Sequence, residues 1–429
     1  MSPAFSSLAL LLLLAVLSAF MGCGPKDADS RPVLPDLPDL EAVNENVRKV
    51  IKKRHQSLAE SASSDSWRRY ARVLHVHGFL KEAADAYLAA AKDVPNAMPD
   101  IYLAALATID IDRGRSLELL RSAERKNPKY LGLHLFIGRL EAEAGDHEAA
   151  LLAYGKANQL QPTAVGYGGA ARALSNLDRN REALKMLKIA LQYQKFDSRI
   201  YGTLAQVQAR LGNTIESTWA QKLASDQTAT TGFPDPLMSL VAKEGESFRA
   251  IESRVEGLVN ARRYTEALAD CEQLIVLRPE DPAGLRFKAG VLFLLGRYPM
   301  AYQLSNEVLS KHPKDVEALV TKANVLEKLG KSAGSLTTLE RALELEPDNP
   351  RALYLYGFQM GPIDMSTGIE KLTRVLELSP LTFPQARFFL ARLHQRQGNL
   401  KEAKRVIQEA LRFNPQDKAA MALSVELGS

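Results

Sequence analysis

The sequence predicts an all-α solenoid of about ten helix–turn–helix repeats, split into two arrays by one short insertion. Three observations predict it. A small residue recurs at Ala83, Ser116, Ala150, Ala183, Ser217, Ala267, Ala301, Ser335, Gly368 and Ala403, at intervals of 33 to 35 residues with a single interval of 50. A second small or aliphatic residue follows seven positions after each, from Ala90 to Ala410, and seven residues is two helical turns, so both lie on one face and let two helices approach. Glycine stands five residues before six of the openers (Gly78, Gly145, Gly212, Gly296, Gly330, Gly398), where it supplies the left-handed backbone that ends a helix. Proline, which cannot continue a helix, closes most units.

The elements follow in order. Residues 1–22 read as a signal peptide: the start is uncharged, and its apolar run, Leu8–Gly22, is shorter than the roughly 20 residues that cross a bilayer. Cys23 comes directly after Gly22. The stretch resembles the lipobox of bacterial lipoproteins, although Phe20 stands where that family prefers Leu and no Lys or Arg precedes the run. The resemblance implies a lipid on Cys23. With Gly24 rather than Asp behind it, it also implies a bacterial envelope protein on the outer membrane facing the periplasm. A cleaved signal with secretion, or an uncleaved inner-membrane anchor, is the alternative. Residues 23–38 hold four of the prolines and read as an extended tether. Residues 39–63 read as an N-terminal helix, with Val43, Val47, Val50, Ile51 and Leu58 on one stripe and Arg48, Lys49, Lys52 and Lys53 on a solvated opposite side.

Residues 64–229 and 248–416 then form the two arrays, five repeats each. The stretches WRRYARVLHVHGFLKEAADAYLAAAKDVP and FIGRLEAEAGDHEAALLAYGKANQLQP closely resemble tetratricopeptide repeats, and the likeness recurs over residues 64–416. It implies a right-handed superhelix whose concave surface is lined by first helices. Two units depart from the pattern: the second, DIDRGRSLELLRSAERKNP, lacks the glycine spacing, and the ninth, GFQMGPIDMSTGIEKL, has a short proline-containing turn. Residues 230–247 form an irregular insertion, read first as a capping loop over the last helix of the first array and second as a hinge or a partial plug of its groove. Residues 417–429 are expected to cap the solenoid. Ala142 is read as an exposed position, in contrast to Ala150 and Ala157 in the helix contact.

No enzyme signature emerges. No HExxH, CxxC or carboxylate cluster offers metal spacing. VGYGGAAR is glycine-rich but follows no strand, so it is not a dinucleotide site. Cys271 sits on the apolar stripe of a second helix, as a small buried hydrophobe. Two cysteines build no disulfide framework, and 55 basic against 50 acidic residues is too balanced to indicate nucleic acid. No cofactor, metal or small-molecule substrate is expected.

The expected function is a non-enzymatic scaffold, anchored to the membrane through its N-terminal lipid, that holds protein partners as extended or acidic peptides. The alternative is a recognition subunit of an enzyme or envelope-assembly system, such as outer-membrane-protein assembly, pilus biogenesis or a glycosyltransferase. The resemblance places the groove stripe at Arg68, Arg72, Leu135, Arg139, Arg172 and Gln206 in the first array. In the second it gives Phe293, Val320, Asn324, Tyr354, Phe358, Phe388 and Arg392. The expected groove is therefore cationic first and aromatic second, arginine being suited to carboxylates by its planar fork. Local ion pairs for the arginines and core packing for the aromatics are the competing expectation.

Overall fold

A computed structural model describes residues 34–92, 94–226 and 232–428; the signal segment and Cys23 lie outside the described residues. Among those described there are 23 helices and no strand. Ten antiparallel pairs follow one another as the period requires. Those of the first array are Ser64–Val76 with Leu80–Ala90, Met98–Thr108 with Arg113–Lys126, Leu131–Glu143 with His147–Leu160, Ala164–Asn176 with Asn180–Tyr193, and Ser198–Arg210 with Thr214–Ala224. Those of the second are Phe248–Asn260 with Tyr264–Leu277, Pro282–Leu294 with Tyr298–Lys311, Val316–Lys328 with Ser332–Leu345, Pro350–Met360 with Met365–Leu378, and Gln385–Arg396 with Leu400–Phe413. A helix at Glu45–Glu60 covers the first repeat through Val47, Ile51 and Leu58, and Lys418–Leu427 caps the last through Ala420, Leu423 and Leu427.

The recurring small residues do what their size demands. Ala83, Ala150, Ala183, Ala267, Ala301 and Ala403 are fully buried. The serine openers differ only in using their hydroxyls: Ser116, Ser217 and Ser335 donate to the carbonyls of Ala105, Ala205 and Ala323 on the paired first helix. All six predicted turn glycines have φ between +73° and +87°. In the fourth and sixth units the same left-handed position is filled by Asp178 and Arg262, both at φ +58°. The two irregular units turn differently. There Asp112 and Asp364 cap the second helix by accepting backbone N–H bonds from Arg115 and from Ser366 and Thr367. In the ninth, Gly368 approaches Gly361 so closely that an added Cβ would lie 2.5 Å from the Gly361 Cα. Ala142 corrects the sequence reading: it is half-buried against the core shared by the third and fourth repeats.

The insertion also corrects it. It does not cap the fifth repeat; it runs back along the first array and carries a seven-residue helix, Pro236–Ala242. That helix lies against the first helices of the first and second repeats, with Val241, Leu237 and Met238 joining their core. Beyond it, Glu244 pairs with Arg54 at 3.0 Å, and Gly245 sits against Val76. The second array therefore begins beside the first repeat, and its far end meets the fifth. Phe413 stacks on Tyr201 and lies tilted against Phe196, and Arg412 covers the Trp219 ring at 4.0 Å. The buried Asp226 carboxylate accepts the backbone N–H groups of Leu381 and Thr382 at 2.9 and 3.0 Å.

Candidate peptide-binding grooves

Each array leaves a cavity between its first helices. In the first array a cavity of about 370 Å³ spans the third, fourth and fifth repeats. Three arginines surround it, one per repeat: Arg139, Arg172 and Arg199. Its floor exists because a side chain is missing. A Cβ at Gly168 would meet only the Ile200 side chain, at 3.6 Å, so the space above that helix stays open. The neighbouring glycines of VGYGGAAR serve packing instead: Gly169 lets the Tyr154 ring lie against the helix, and Gly166 makes room for Asn158.

The arginines are not equivalent. Arg139 reaches Glu143 one turn along its own helix at 3.4 Å and lies over the Phe136 ring. Arg199 is held by the buried Asp197 at 2.9 Å. Arg172 is exposed and forms no ion pair among the described residues. Burial pushes the Tyr154 phenol up, and Arg172 and Arg139 oppose that shift, which places both cations near the ring. A guanidinium without a carboxylate, beside two more, can take an anionic side chain from outside.

The structure separates Arg68 and Arg72 from this group. Arg68 is locked in a two-point pair with the buried Asp100 of the next repeat, Nε and Nη2 at 2.9 and 2.8 Å. Arg72 is half-buried beside Tyr87. Neither belongs to the open groove, because the insertion covers the first helices of these repeats. Leu135 is buried but contributes to the cavity floor, and Gln206 is exposed. Arg199 and the insertion's Phe233, which closes one side of the cavity, are absent from the sequence-predicted stripe. Arg199 precedes Gln206 by seven residues, two turns up the same face, so extending the stripe by that step finds it.

In the second array a cavity of about 570 Å³ runs over the sixth to ninth repeats. Phe293 and Asn324 line it as expected, joined by Phe287 and the exposed Leu294, with Arg286, Glu317 and Arg351 at its margin. Arg351 pairs with Glu317, and Arg286 with Asp315 at 3.6 Å. Val320 is a correction: it is fully buried in the core of the eighth repeat. Tyr354, Phe358 and Phe388 lie further along, in the ninth and tenth repeats. Tyr354 stacks on Phe383 at 5.0 Å, Phe358, 40% exposed, meets Phe389 edge-on at 4.5 Å, and Phe389 in turn meets Phe388 at 5.7 Å. Arg392 is engaged with Glu426 of the capping helix at 2.6 Å, so it belongs to the cap rather than to a free groove.

Elsewhere the chemistry is quiet. Cys271 is fully buried; burial, reinforced by Asp270 and Glu272, pushes its thiol up to about 12, which removes it as a nucleophile at neutral pH. Among the described residues no three His, Cys, Asp or Glu side chains cluster to hold a metal ion, and no helix is long and apolar enough to cross a membrane.

Comparison with known proteins agrees with this architecture. One family model described as tetratricopeptide repeat matches residues 292–357 and 364–425, and a second of the same description matches 112–164 and 254–316. A curated relative, the DnaJ homolog subfamily C member 7 homolog of Schizosaccharomyces pombe, is 30% identical over 135 residues; the match covers 32% of this chain and 24% of that protein. Among solved structures, yeast Tom70 aligns over 85% of this chain and 95% of its own, at 13% identity and a TM-score of 0.39. A thermophilic repeat protein of Thermus thermophilus aligns over 42% of this chain and 97% of its own, at 20% identity and a TM-score of 0.35.

Proposed function

Because the chain belongs to the tetratricopeptide-repeat superfamily, whose members mediate protein–protein contacts, we propose that it is a non-enzymatic scaffold. It holds extended peptide segments of partner proteins along the first helices of its two arrays. Acidic side chains go to Arg139, Arg172 and Arg199, and apolar side chains to Phe287, Phe293 and Leu294. The chain is tied to the bacterial envelope through a lipid on Cys23, on the outer membrane facing the periplasm.

The observation that carries this reading is Arg172: an exposed guanidinium with no ion pair among the described residues, at an open cavity that two further arginines border. Surface ion pairs contribute only about 0–1 kcal/mol, so these positions can be reversed in charge without unfolding the array. A double change, Arg139→Glu with Arg172→Glu, should leave the helical signal and melting temperature near those of the parent. It should remove partners recovered by crosslinking from native membranes. Unchanged recovery would exclude this groove. The anchor is tested separately: Cys23→Ala should move the protein to the soluble fraction, whereas detergent partitioning at unchanged mass would mean an uncleaved apolar anchor.

A further inference from the structure

The insertion is held where a peptide would be held. Phe233 packs against the core of the third and fourth repeats and borders the arginine cavity. Two residues on, the buried Asp235 carboxylate accepts hydrogen bonds from two phenols: Tyr102 on the first helix of the second repeat, and Tyr130, at 2.5 Å, just before that of the third. Burial, followed by the carboxylate itself, holds both phenols well above the usual tyrosine range, so both remain donors. The site is shaped for this. Gly132 leaves the space that the Tyr102 hydroxyl occupies, since a Cβ there would lie 2.5 Å from that oxygen. The backbone at Asp235 is extended, at φ −83° and ψ 116°, between Pro234 and Pro236. From Phe233 to Glu246 the segment thus runs from the fourth repeat toward the first, opposite to the order of the repeats.

A connection between two arrays needs length and solubility. The Asp235 carboxylate caps its own helix by accepting from the Leu237 and Met238 N–H groups, but capping alone does not require two further phenol donors from other repeats, which pair a buried charge that is otherwise costly. We infer that Phe233–Ala242 is a resident ligand of the first array's groove, and that this groove takes, in exchange, a peptide from a partner protein that is extended as far as its aspartate and helical beyond it, as Pro236–Ala242 is. That peptide carries an aromatic residue two positions before an aspartate and acidic residues ahead of the aromatic. The inference rests on the reading of the grooves as peptide sites. The acidic part follows from what the resident segment lacks: residues 227–232, ahead of Phe233, carry no charge, and Arg172 is left without an ion pair among the described residues. A tethered segment competes at an effective concentration of about millimolar, so a free peptide with only the same contacts displaces it poorly. Acidic residues that reach Arg172, Arg139 and Arg199 supply the difference.

The test uses the full chain and two fluorescein-labelled peptides: GFPDPLMSLVA, copied from the insertion, and the same peptide preceded by three glutamates. On the parent protein the acidic peptide should bind at least tenfold tighter than the plain one, and Arg172→Glu should erase that advantage. A Phe233→Ala, Asp235→Ala chain, in which the resident segment is weakened, should bind both peptides at least tenfold tighter than the parent does. Replacing the peptide's aspartate with alanine should abolish binding. If the double variant is folded and binds the peptides no better than the parent, the segment is a spacer and the inference fails. If that variant does not fold, hydrogen exchange on the parent decides: saturating acidic peptide should expose the amides of residues 237–242, and unchanged protection overturns the inference. Either failure leaves partner recovery through Arg172 to be read independently, so it does not count against the scaffold itself.

Discussion

Two adjacent glycines, Gly168 and Gly169, sit in one helix for opposite reasons. Alanine at Gly168 would make only an ordinary contact with the Ile200 side chain and gain helix propensity, worth about 0.5–1 kcal/mol. Alanine at Gly169 would drive its methyl into the rigid Tyr154 ring. Gly168→Ala should therefore raise the melting temperature and shrink the arginine cavity, while Gly169→Ala should lower it by overpacking, about 1–3 kcal/mol. Thermal denaturation of the two variants checks both signs. Arg262 shows the converse case: it stands in the left-handed position that glycine fills in six other turns, where a non-glycine residue costs about 1–2 kcal/mol. Arg262→Gly should stabilise by up to about 1 kcal/mol in urea titration. These positions were visible in the sequence only as type and spacing. The period gave Arg262 its place in a turn, but nothing local separates the glycine that makes a cavity from the one that admits a ring, because the deciding atoms belong to another helix.

At the scale of the element, the unit is a helix pair that buries its small residues against its own partner and its neighbours. Ala150 is fully buried at such a contact, so Ala150→Leu should cost about 1–3 kcal/mol, whereas Ala209→Leu, at an exposed helical position, should be nearly neutral. Nearest-neighbour contacts should confine the loss of amide protection to the second, third and fourth repeats. The first repeat carries a further liability. Burial pushes the His75 imidazole, set edge-on to Tyr87, and that of His77 down to about 4, from an ordinary value near 6.5. Both are neutral in the fold but take up protons when unfolded below about pH 6.5, so the unfolded state binds more protons and stability falls as pH drops from about 6.5 toward 4. The melting temperature should be lower at pH 5 than at pH 7, and His75→Gln should reduce that difference. The identity and order of the ten helix pairs were readable from the 33- to 35-residue period, but the helix Pro236–Ala242 in the insertion was not. The paired Arg68 and Asp100 were also within reach, since they stand 32 residues apart, close to one repeat.

The whole molecule holds what the period could not foretell. The insertion's anchoring tyrosines lie 133 and 105 residues from Asp235, and the partners of Phe413 lie in the fifth repeat, so neither contact leaves a trace in local spacing. The capping reading of the insertion failed for that reason. The consequence is mechanical. Asp226, buried and bonded to Leu381 and Thr382, joins the end of the first array to the end of the second. Asp226→Ala removes both of these buried bonds, at a cost of about 1–3 kcal/mol. With Phe413→Ala added, denaturation should split from one transition toward two, one for each array.

If the scaffold reading holds, partners sit on the first helices, at the two cavities, and not on the outer helices. Site-specific photocrosslinking in native membranes tests it most directly, with the probe placed at Arg172 or Leu294 in the cavities, or at Lys222 or Val276, which are exposed on second helices. Discrete partner adducts are expected from Arg172 and Leu294, and none from Lys222 and Val276. Adducts from the outer pair alone would contradict it.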